Sequence, residues 1–282
     1  MTKDNKIAYQ GEPGANSDVA CREYYPSYTP VPCRTFEDAF DEVRSGKADL
    51  AMIPIENSVA GRVADIHHLL PDSRLQIIAE MFMPIRHSLL APAGATLKTI
   101  ETVESHEQAL GQCRKFIRQH NLERVVAVDT AGSAREVAKR KNKTRAAIAS
   151  TLAAKIYGLK VLVEDIQDVA YNTTRFIVLS RERKWAPHGK RKSVITFFFN
   201  VKNIPGALYK ALGGFATNGV NMTKLESYMV EGSFFATQFY ADIEGHPEDS
   251  NVARALEELK FFSETVTILG VYPAAPFRNG RK

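Results

Sequence analysis

The first 180 residues alternate between short apolar strands and amphipathic helices, and this alternation limits the folds open to the chain. The clearest helix is predicted over Thr35–Ser45, where Thr35 is a suitable N-cap and four apolar residues form one stripe. An apolar strand is predicted next, over Asp49–Ile55. Such alternation is typical of parallel sheets flanked by helices. The stretch is long enough for two α/β lobes, and we expect a cleft between them at the carboxyl ends of their strands.

A strongly basic segment interrupts this pattern at residues 181–192 (RERKWAPHGKRK). It carries six Lys or Arg residues against one Glu, and so holds much of the excess of 37 basic over 32 acidic residues. Pro187 and Gly189 break the segment, and no series of aromatic residues accompanies it, so a solvated linker is favoured over a nucleic-acid-binding site.

The pattern after this linker differs from the one before it. Strands and helices are predicted in the order β-α-β-β-α-β, which is the ferredoxin-like arrangement. The strands are predicted at Ser193–Val201, Val220–Met229, Phe234–Ile243 and Val266–Val271, and the helices at Gly206–Thr217 and Asn251–Leu259. One face of such a sheet is not covered by its own helices, so association through the sheet or its edge is expected.

Length and cysteine usage set further limits on the chain. Its 282 residues suit about two domains. The cysteines Cys21, Cys33 and Cys113 are odd in number and lack CxxC spacing, so neither a disulfide framework nor a zinc site is expected. The start of the chain has no apolar signal core, and no apolar run approaches the ~20 residues that span a bilayer, so we expect a cytoplasmic protein.

Polar residues stand at the N-terminal end of an apolar strand near residue 175. Thr173, Thr174 and Arg175 precede Phe176 and the run Ile177-Val178-Leu179. Arginine is rarely buried without a partner, and its guanidinium group pairs readily with a carboxylate. The pattern therefore favours a strand end that faces a bound small anion. Further polar groups at predicted strand ends are Glu56-Asn57-Ser58, Ser105 and Asp129-Thr130.

Four motifs follow one another along the sequence. They are Ala8–Ser17 (AYQGEPGANS), Ile53–Ser58 (IPIENS) with Gly61, Ser105–Leu110 (SHEQAL) continuing to Gln112-Cys113, and Asn172 with Thr174–Phe176 (TRF). Together they resemble the prephenate dehydratase family with a C-terminal ACT regulatory domain, and the likeness covers nearly the whole chain, in order. In the C-terminal part, Pro205–Leu208 matches the first effector motif of the family. The second usually has the sequence Glu-Ser-Arg-Pro, and here it is Glu226-Ser227-Tyr228-Met229.

The resemblance implies a fold, a domain organisation and a reaction. The fold would be a two-lobed, periplasmic-binding-protein-like α/β catalytic domain at 1–182, a linker at 183–192, a ferredoxin-like ACT domain at 193–274 and a tail at 275–282. The reaction would convert prephenate to phenylpyruvate with loss of carbon dioxide and water, with no cofactor and no metal. L-Phenylalanine would inhibit it through the ACT domain of a homodimer or homotetramer. The alternatives are an arogenate dehydratase and a non-catalytic amino-acid sensor.

The resemblance also implies catalytic residues. Its set is Thr174, Arg175, Glu56, Asn57, Ser58, Ser105 and Gln112. We expect the Thr174 hydroxyl to stabilise the leaving hydroxyl by a hydrogen bond, while Glu56 would suit a general acid if burial raised its pKa. Neighbouring strand residues face opposite ways, so Thr174 and Arg175 cannot both reach one site without a bend. Arg175 then either holds the pyruvyl carboxylate or pairs with Glu56 or Asp168 behind the site.

A second set of residues is expected to bind phenylalanine. The set is Gly206, Ala207, Leu208, Asn221, Met222, Thr223, Glu226 and Ser227. The free N–H groups at the start of the helix after Pro205 suit the carboxylate of an amino acid, and Glu226 suits its ammonium group. A purely structural dimerisation domain is the alternative.

Overall fold

The computed structural model describes residues 5–229 and 236–280. The strands are β1 (Lys6–Gln10), β2 (Thr29–Cys33), β3 (Leu50–Asn57), β4 (Gly61–Arg62), β5 (Gln76–Pro84), β6 (Ser88–Ala91), β7 (Thr102–His106), β8 (Glu123–Ala127), β9 (Arg145–Ala149), β10 (Lys160–Val163), β11 (Thr173–Ser180), β12 (Ser193–Val201), β13 (Met222–Met229), β14 (Ala236–Glu244) and β15 (Ser263–Pro273). The helices are α1 (Asn16–Tyr24), α2 (Phe36–Arg44), α3 (Ala64–Leu69), α4 (Glu107–Gln112), α5 (Arg114–Gln119), α6 (Thr130–Arg140), α7 (Thr151–Tyr157), α8 (Ala207–Thr217) and α9 (Ser250–Phe262).

By its internal packing the chain forms two compact units. One is Met1–Val63 with Phe82–Phe176, and the other is Ala64–Met81 with Ile177–Lys282.

The first sheet has the strand order β2-β1-β3-β11-β5, and β4 pairs with β3. Helix α2 begins as the sequence predicts, because the Thr35 hydroxyl accepts a hydrogen bond from the Asp38 N–H and the Asp38 carboxylate accepts one from the Thr35 N–H. Strand β2, which contains Pro30 and Pro32, was not predicted from the sequence. Its position at the edge of the sheet tolerates these prolines, which cannot donate hydrogen bonds to a second neighbour.

The second sheet has the order β10-β6-β9-β7-β8. Its β7 pairs are parallel, whereas β6 is antiparallel to both β9 and β10. The helical segment after β7 is not a single element, since it divides at Cys113 into α4 and α5. The two sheets with their helices confirm the predicted two-lobed α/β arrangement.

The C-terminal elements follow the predicted order β12-α8-β13-β14-α9-β15, and the sheet order is β13-β14-β12-β15. Aromatic side chains fill its core, where Phe197 packs against Phe199 and Phe215, and Phe199 stacks on Phe239. The ferredoxin-like prediction is therefore confirmed. The first two residues of the strand predicted at Phe234–Ile243 lie outside the described residues.

The end of the chain is anchored by a buried carboxylate. Residues Pro276–Gly280 form a 3₁₀ helix, and the Arg278 guanidinium group donates to both carboxylate oxygens of Glu80, at 2.6 and 2.9 Å. The Glu80 carboxylate also accepts the Ala275 N–H. Residues 275–280 thus pack onto β5. The predicted domain boundaries themselves stay predictions.

Within the described ranges, none of the helices combines the length and apolar character that a membrane span requires. The cytoplasmic location stays a prediction.

Candidate active site

The candidate site is built where the end of β3 meets the start of β11. Strand β3 continues past Ile55 to Asn57, beyond its predicted end. The Ser58 N–H donates to the Thr173 carbonyl at 2.8 Å. The Ser58 hydroxyl donates to the Tyr171 carbonyl and accepts the Thr173 N–H, both at 2.9 Å. These contacts give Ser58 a structural role in the first instance, since they join the two chain segments that carry the site.

Side chains of β3 and β11 pair alternately on the two faces of the sheet. Asn57 lies beside Thr174 on one face, and Glu56 pairs with Arg175 at 3.1 Å on the other. Arg175 is only 2 % exposed, and its guanidinium group lies 5.9 Å from the centre of the Phe82 ring. Of the two predicted positions for Arg175, the structure shows the pairing with Glu56. The Glu56 carboxylate is thus the partner of the buried Arg175 guanidinium group, and its role as a general acid stays a prediction.

Amide side chains form a continuous hydrogen-bonded series next to Thr174. The Asn57 amide nitrogen donates to the Asn172 side-chain oxygen at 2.8 Å and to the Thr174 hydroxyl at 2.9 Å. The Asn57 oxygen accepts the backbone N–H groups of Val59 and Ala60, at 2.9 and 2.8 Å. Because backbone N–H groups can only donate, they fix which end of the Asn57 amide faces Thr174.

Gln112, the last residue of α4, continues this series. Its side-chain oxygen accepts the Asn172 amide N–H at 2.9 Å and lies 2.7 Å from Nε2 of His87. The break between α4 and α5 places it there, because the Gln112 carbonyl accepts the Asp168 N–H while the Asp168 carboxylate accepts the Lys115 N–H at the start of α5. A continuous helix through Cys113 would not leave these groups available.

Ser105 does not join this group. It is fully buried, and its hydroxyl donates to the Ile148 carbonyl at 2.6 Å, which connects β7 to β9. The cap of α4 is His106, whose Nδ1 accepts the Gln108 N–H. The prediction of a catalytic Ser105 therefore finds no contact with Asn57, Gln112 or Thr174 in its favour.

The residue that sequence reasoning missed is His87. It precedes the apolar strand β6, and no spacing in the sequence connects it to Gln112, 25 positions later. Burial lowers the pKa of His87, so the imidazole is neutral near pH 7. Burial also raises the pKa of the Cys113 thiol to about 12, which supports the interpretation of Cys113 as a core residue rather than a nucleophile.

The glycine-rich turn after β1 is held against α6 and α7. The Arg135 guanidinium group pairs with Glu12 at 2.6 Å, and the Ser150 hydroxyl donates to the Gly14 carbonyl at 2.6 Å. Gly14 has φ +90°, and a Cβ atom at this position would lie 2.7 Å from the Cα of Ala153. The close neighbour of this glycine is thus the protein backbone.

The expected phenylalanine-binding residues fall into two groups at opposite ends of the C-terminal sheet. Gly206, Ala207 and Leu208 open α8, which follows the end of β12. Asn221, Met222 and Thr223 lie level with the start of β12, since Met222 aligns with Ile243 and Ile243 with Ile195. Glu226 and Ser227 lie further along β13, towards the α8 end.

The Glu226 carboxylate already has partners in the C-terminal unit. It accepts hydrogen bonds from Lys224 and from the Tyr228 hydroxyl. Burial opposes ionisation of Glu226, but these two bonds bring its pKa below the usual range. The Tyr228 ring, which stands where the family has arginine, stacks on the buried ring of His67 at 4.8 Å.

Comparison with known proteins identifies the family. A family model described as "Prephenate dehydratase" matches residues 7–184. The chain belongs to the prephenate dehydratase family. It is 51% identical to the "Bifunctional N-acyl-homoserine lactone acylase/prephenate dehydratase" of Komagataeibacter europaeus, over 99% of each chain. It is 38% identical to "Arogenate dehydratase 2" of Petunia hybrida, over 95% of this chain and 72% of that one.

A solved structure of the family agrees with the fold. The prephenate dehydratase of Arthrobacter aurescens in complex with L-Phe is 34% identical and covers 96% of this chain and 90% of its own, with a TM-score of 0.87. This likeness extends beyond the residues of the family model, so the family fold includes the ferredoxin-like part. The family's members and this fold together support a dehydratase, a carbon–oxygen lyase.

Proposed function

We propose that the protein catalyses the decarboxylating dehydration of prephenate to phenylpyruvate. Family membership supports the reaction class. The single observation that supports the assignment of this site is the hydrogen bond from the Asn57 amide to the Thr174 hydroxyl oxygen. Because this oxygen accepts from Asn57, the hydroxyl proton of Thr174 is directed elsewhere. Within the described part of the chain it has no acceptor, so it is available to a bound substrate.

Two backbone N–H groups fix the orientation of the Asn57 amide, and with it the direction of this hydrogen bond. The N–H groups of Val59 and Ala60 require the Asn57 oxygen on their side, and the Asn57 nitrogen must then face Thr174. Thr174 is consequently a donor to substrate. A threonine hydroxyl is a weak acid, so its contribution is a preorganised hydrogen bond to the departing hydroxyl.

The chemistry needs little more from the protein. As the bond to the ring carboxylate breaks, its electron pair enters the ring, the carbon–oxygen bond to the ring hydroxyl breaks, and carbon dioxide and hydroxide leave an aromatic product. Thr174 stabilises the charge that develops on the departing oxygen, and the Gln112 amide N–H groups suit a substrate carboxylate. Arg175 pairs with Glu56 instead, which avoids stabilising the carboxylate that must leave.

The direct test is turnover by the purified protein. We expect phenylpyruvate from prephenate, measured by its absorbance in alkali. Arogenate should be assayed in parallel, because the Petunia relative is an arogenate dehydratase, and a higher kcat/KM for arogenate would assign the chain to that activity. Phenylalanine binding without product from either substrate would instead support the amino-acid sensor.

We propose N-acyl-homoserine lactone hydrolysis as a second candidate activity. It is supported by the Komagataeibacter relative, which carries both activities in its name and aligns over 99% of each chain. The test is incubation with N-acyl-homoserine lactones and chromatography of the released homoserine lactone. A Thr174→Val protein that keeps this activity while losing dehydratase activity would place the two reactions in different sites. Absence of released product in the wild-type protein would remove the candidate.

We also propose that phenylalanine inhibits the enzyme through a site completed by a second copy of the chain. The L-Phe complex of the Arthrobacter relative supports the effector. The pairing of sites is supported by β13, which is an edge strand. Antiparallel association of two such edges brings the Gly206 end of one sheet to the Asn221 end of the other. Calorimetry with phenylalanine tests the binding, and light scattering tests whether the protein is a dimer. If no heat of binding is measured and the protein is a monomer, the C-terminal domain has only a structural role.

A further inference from the structure

His87 is held rigidly beside Gln112. Its backbone N–H donates to the Gln167 side-chain oxygen and its carbonyl accepts the Ile166 N–H, both at 2.9 Å. Its side chain is almost fully buried, with the residue 3 % exposed, and Nε2 lies 2.7 Å from Oε1 of Gln112. Because the His87 backbone is held by two hydrogen bonds and its ring is buried, the ring has little freedom to move.

The tautomer of His87 follows from the amide series. The Val59 and Ala60 N–H groups orient Asn57, and its nitrogen donates to the Asn172 oxygen. The Asn172 nitrogen must then donate to Gln112, so the Gln112 oxygen is the atom that faces both Asn172 and His87. Nε2 of His87 therefore carries the proton, since two acceptors cannot share a contact of 2.7 Å.

We propose that His87 is a positioning residue that holds the Gln112 amide with its N–H groups turned towards substrate. This inference rests on the proposed dehydratase function. The two donors, His87 and Asn172, occupy the Gln112 oxygen from separate directions. Both N–H bonds of the Gln112 amide have no acceptor in the parts of the chain that the structure describes, and so remain for a substrate oxygen. Without His87, the Asn172 bond alone would hold Gln112, and the amide could rotate away from substrate.

The test is a double-mutant cycle on prephenate turnover. His87→Leu removes the donor, and we expect kcat/KM to fall by about 10- to 100-fold, because one oriented polar contact in a buried site is lost. In a Gln112→Leu background the same substitution should change kcat/KM less than about twofold, since nothing is left to position. His87→Gln places an N–H near the original Nε2 and should restore most of the activity.

The control is His120→Leu, which replaces a histidine at the C-terminal end of α5 whose ring contacts Phe116. It should leave kcat/KM unchanged. Equal losses from His87→Leu in both backgrounds would overturn the proposal, because they would show a structural effect independent of Gln112. Failure of His87→Gln to restore activity, with the protein folded, would also count against it.

A second measurement is independent of activity. In ¹⁵N-histidine NMR near pH 7, the His87 signal, assigned by its loss in His87→Gln, should be that of the Nε2–H tautomer. It should shift in Gln112→Leu. An Nδ1–H tautomer would overturn the inference even in an active enzyme. If the wild-type protein makes no phenylpyruvate, the proposed function fails separately, and this spectrum alone decides whether His87 holds Gln112.

Discussion

Thr174 offers the sharpest test at the scale of single residues. Thr174→Val keeps the shape of the side chain and removes the hydroxyl that accepts from Asn57. We expect kcat on prephenate to fall by about 100-fold or more with little change in KM, because the lost hydrogen bond acts mainly on the departing hydroxyl. Thr174→Ser, the matched control, retains the hydroxyl and should stay within about tenfold of wild type. Near-normal turnover by the valine variant would remove Thr174 from the mechanism.

The pH dependence of stability follows from His87. Burial lowers its pKa in the folded state, while the unfolded chain protonates a histidine near pH 6.5. Below that pH the unfolded state binds the additional proton, so the free energy of unfolding falls as the pH drops. Urea unfolding at about pH 7.5 and 5.5 should therefore show a larger loss for wild type than for His87→Gln. Comparing the two proteins removes the contribution of the carboxylates, which both proteins share. Equal losses of unfolding free energy in the two proteins would contradict this prediction.

Sequence patterns identified Asn57, Gln112 and Thr174 because each is a polar residue in or beside a motif at an element end. The structure brings these three into one hydrogen-bonded series. Ser105 met the same criteria but donates to the Ile148 carbonyl, and a single hydroxyl looks alike in sequence whether it faces a ligand or a neighbouring strand. His87 was missed because its contact spans two elements and only the fold brings them together.

At the scale of elements, Gly270 depends on how closely β15 approaches β5. A Cβ atom on Gly270 would lie 2.1 Å from the Ile77 carbonyl oxygen. We expect Gly270→Ala to destabilise the protein by more than about 2 kcal/mol, since two backbone segments must separate. Calorimetric or urea unfolding of the purified variant measures the change.

Gly213, within α8, serves as the matched control for Gly270. A Cβ atom on Gly213 would have no neighbour within 4 Å among the described residues, so Gly213→Ala should stabilise the protein by about 0.5–1 kcal/mol through helix propensity. If the two substitutions changed the free energy of unfolding equally, the close contact between Gly270 and Ile77 would not limit which residue can stand at position 270.

Most element types were predictable, because periodicity reports which face is buried. The residues at which helices and strands begin and end were less predictable. The break at Cys113 depends on Asp168, which is distant in sequence and bonds both sides of the break through Gln112 and Lys115. Strand β2 lacks an apolar alternation, and its prolines indicate a loop until the neighbouring β1 supplies its hydrogen bonds. Long-range partners decided both cases.

At the scale of the whole molecule, the proposed inhibition requires that phenylalanine bind one conformation of the chain more tightly than another. Glu226 is the expected partner of the effector's ammonium group, yet Lys224 and Tyr228 already bond its carboxylate. An incoming ammonium group must compete with Lys224 for the same oxygen atoms. The strength of inhibition therefore depends on a contact within the chain as well as on the contacts of the effector.

Lys224→Met tests this competition in the full-length protein. We expect phenylalanine to bind about two- to fivefold more tightly, because a partly exposed ion pair of up to ~1 kcal/mol no longer opposes it. Calorimetry measures the affinity, and the phenylalanine concentration for half-inhibition of prephenate turnover should fall by a similar factor if binding and inhibition are linked. Lys210→Met, on the exposed surface of α8, controls for the loss of one positive charge. Unchanged affinity in Lys224→Met would show that the ammonium group binds elsewhere, whereas tighter binding without stronger inhibition would separate the effector site from catalysis.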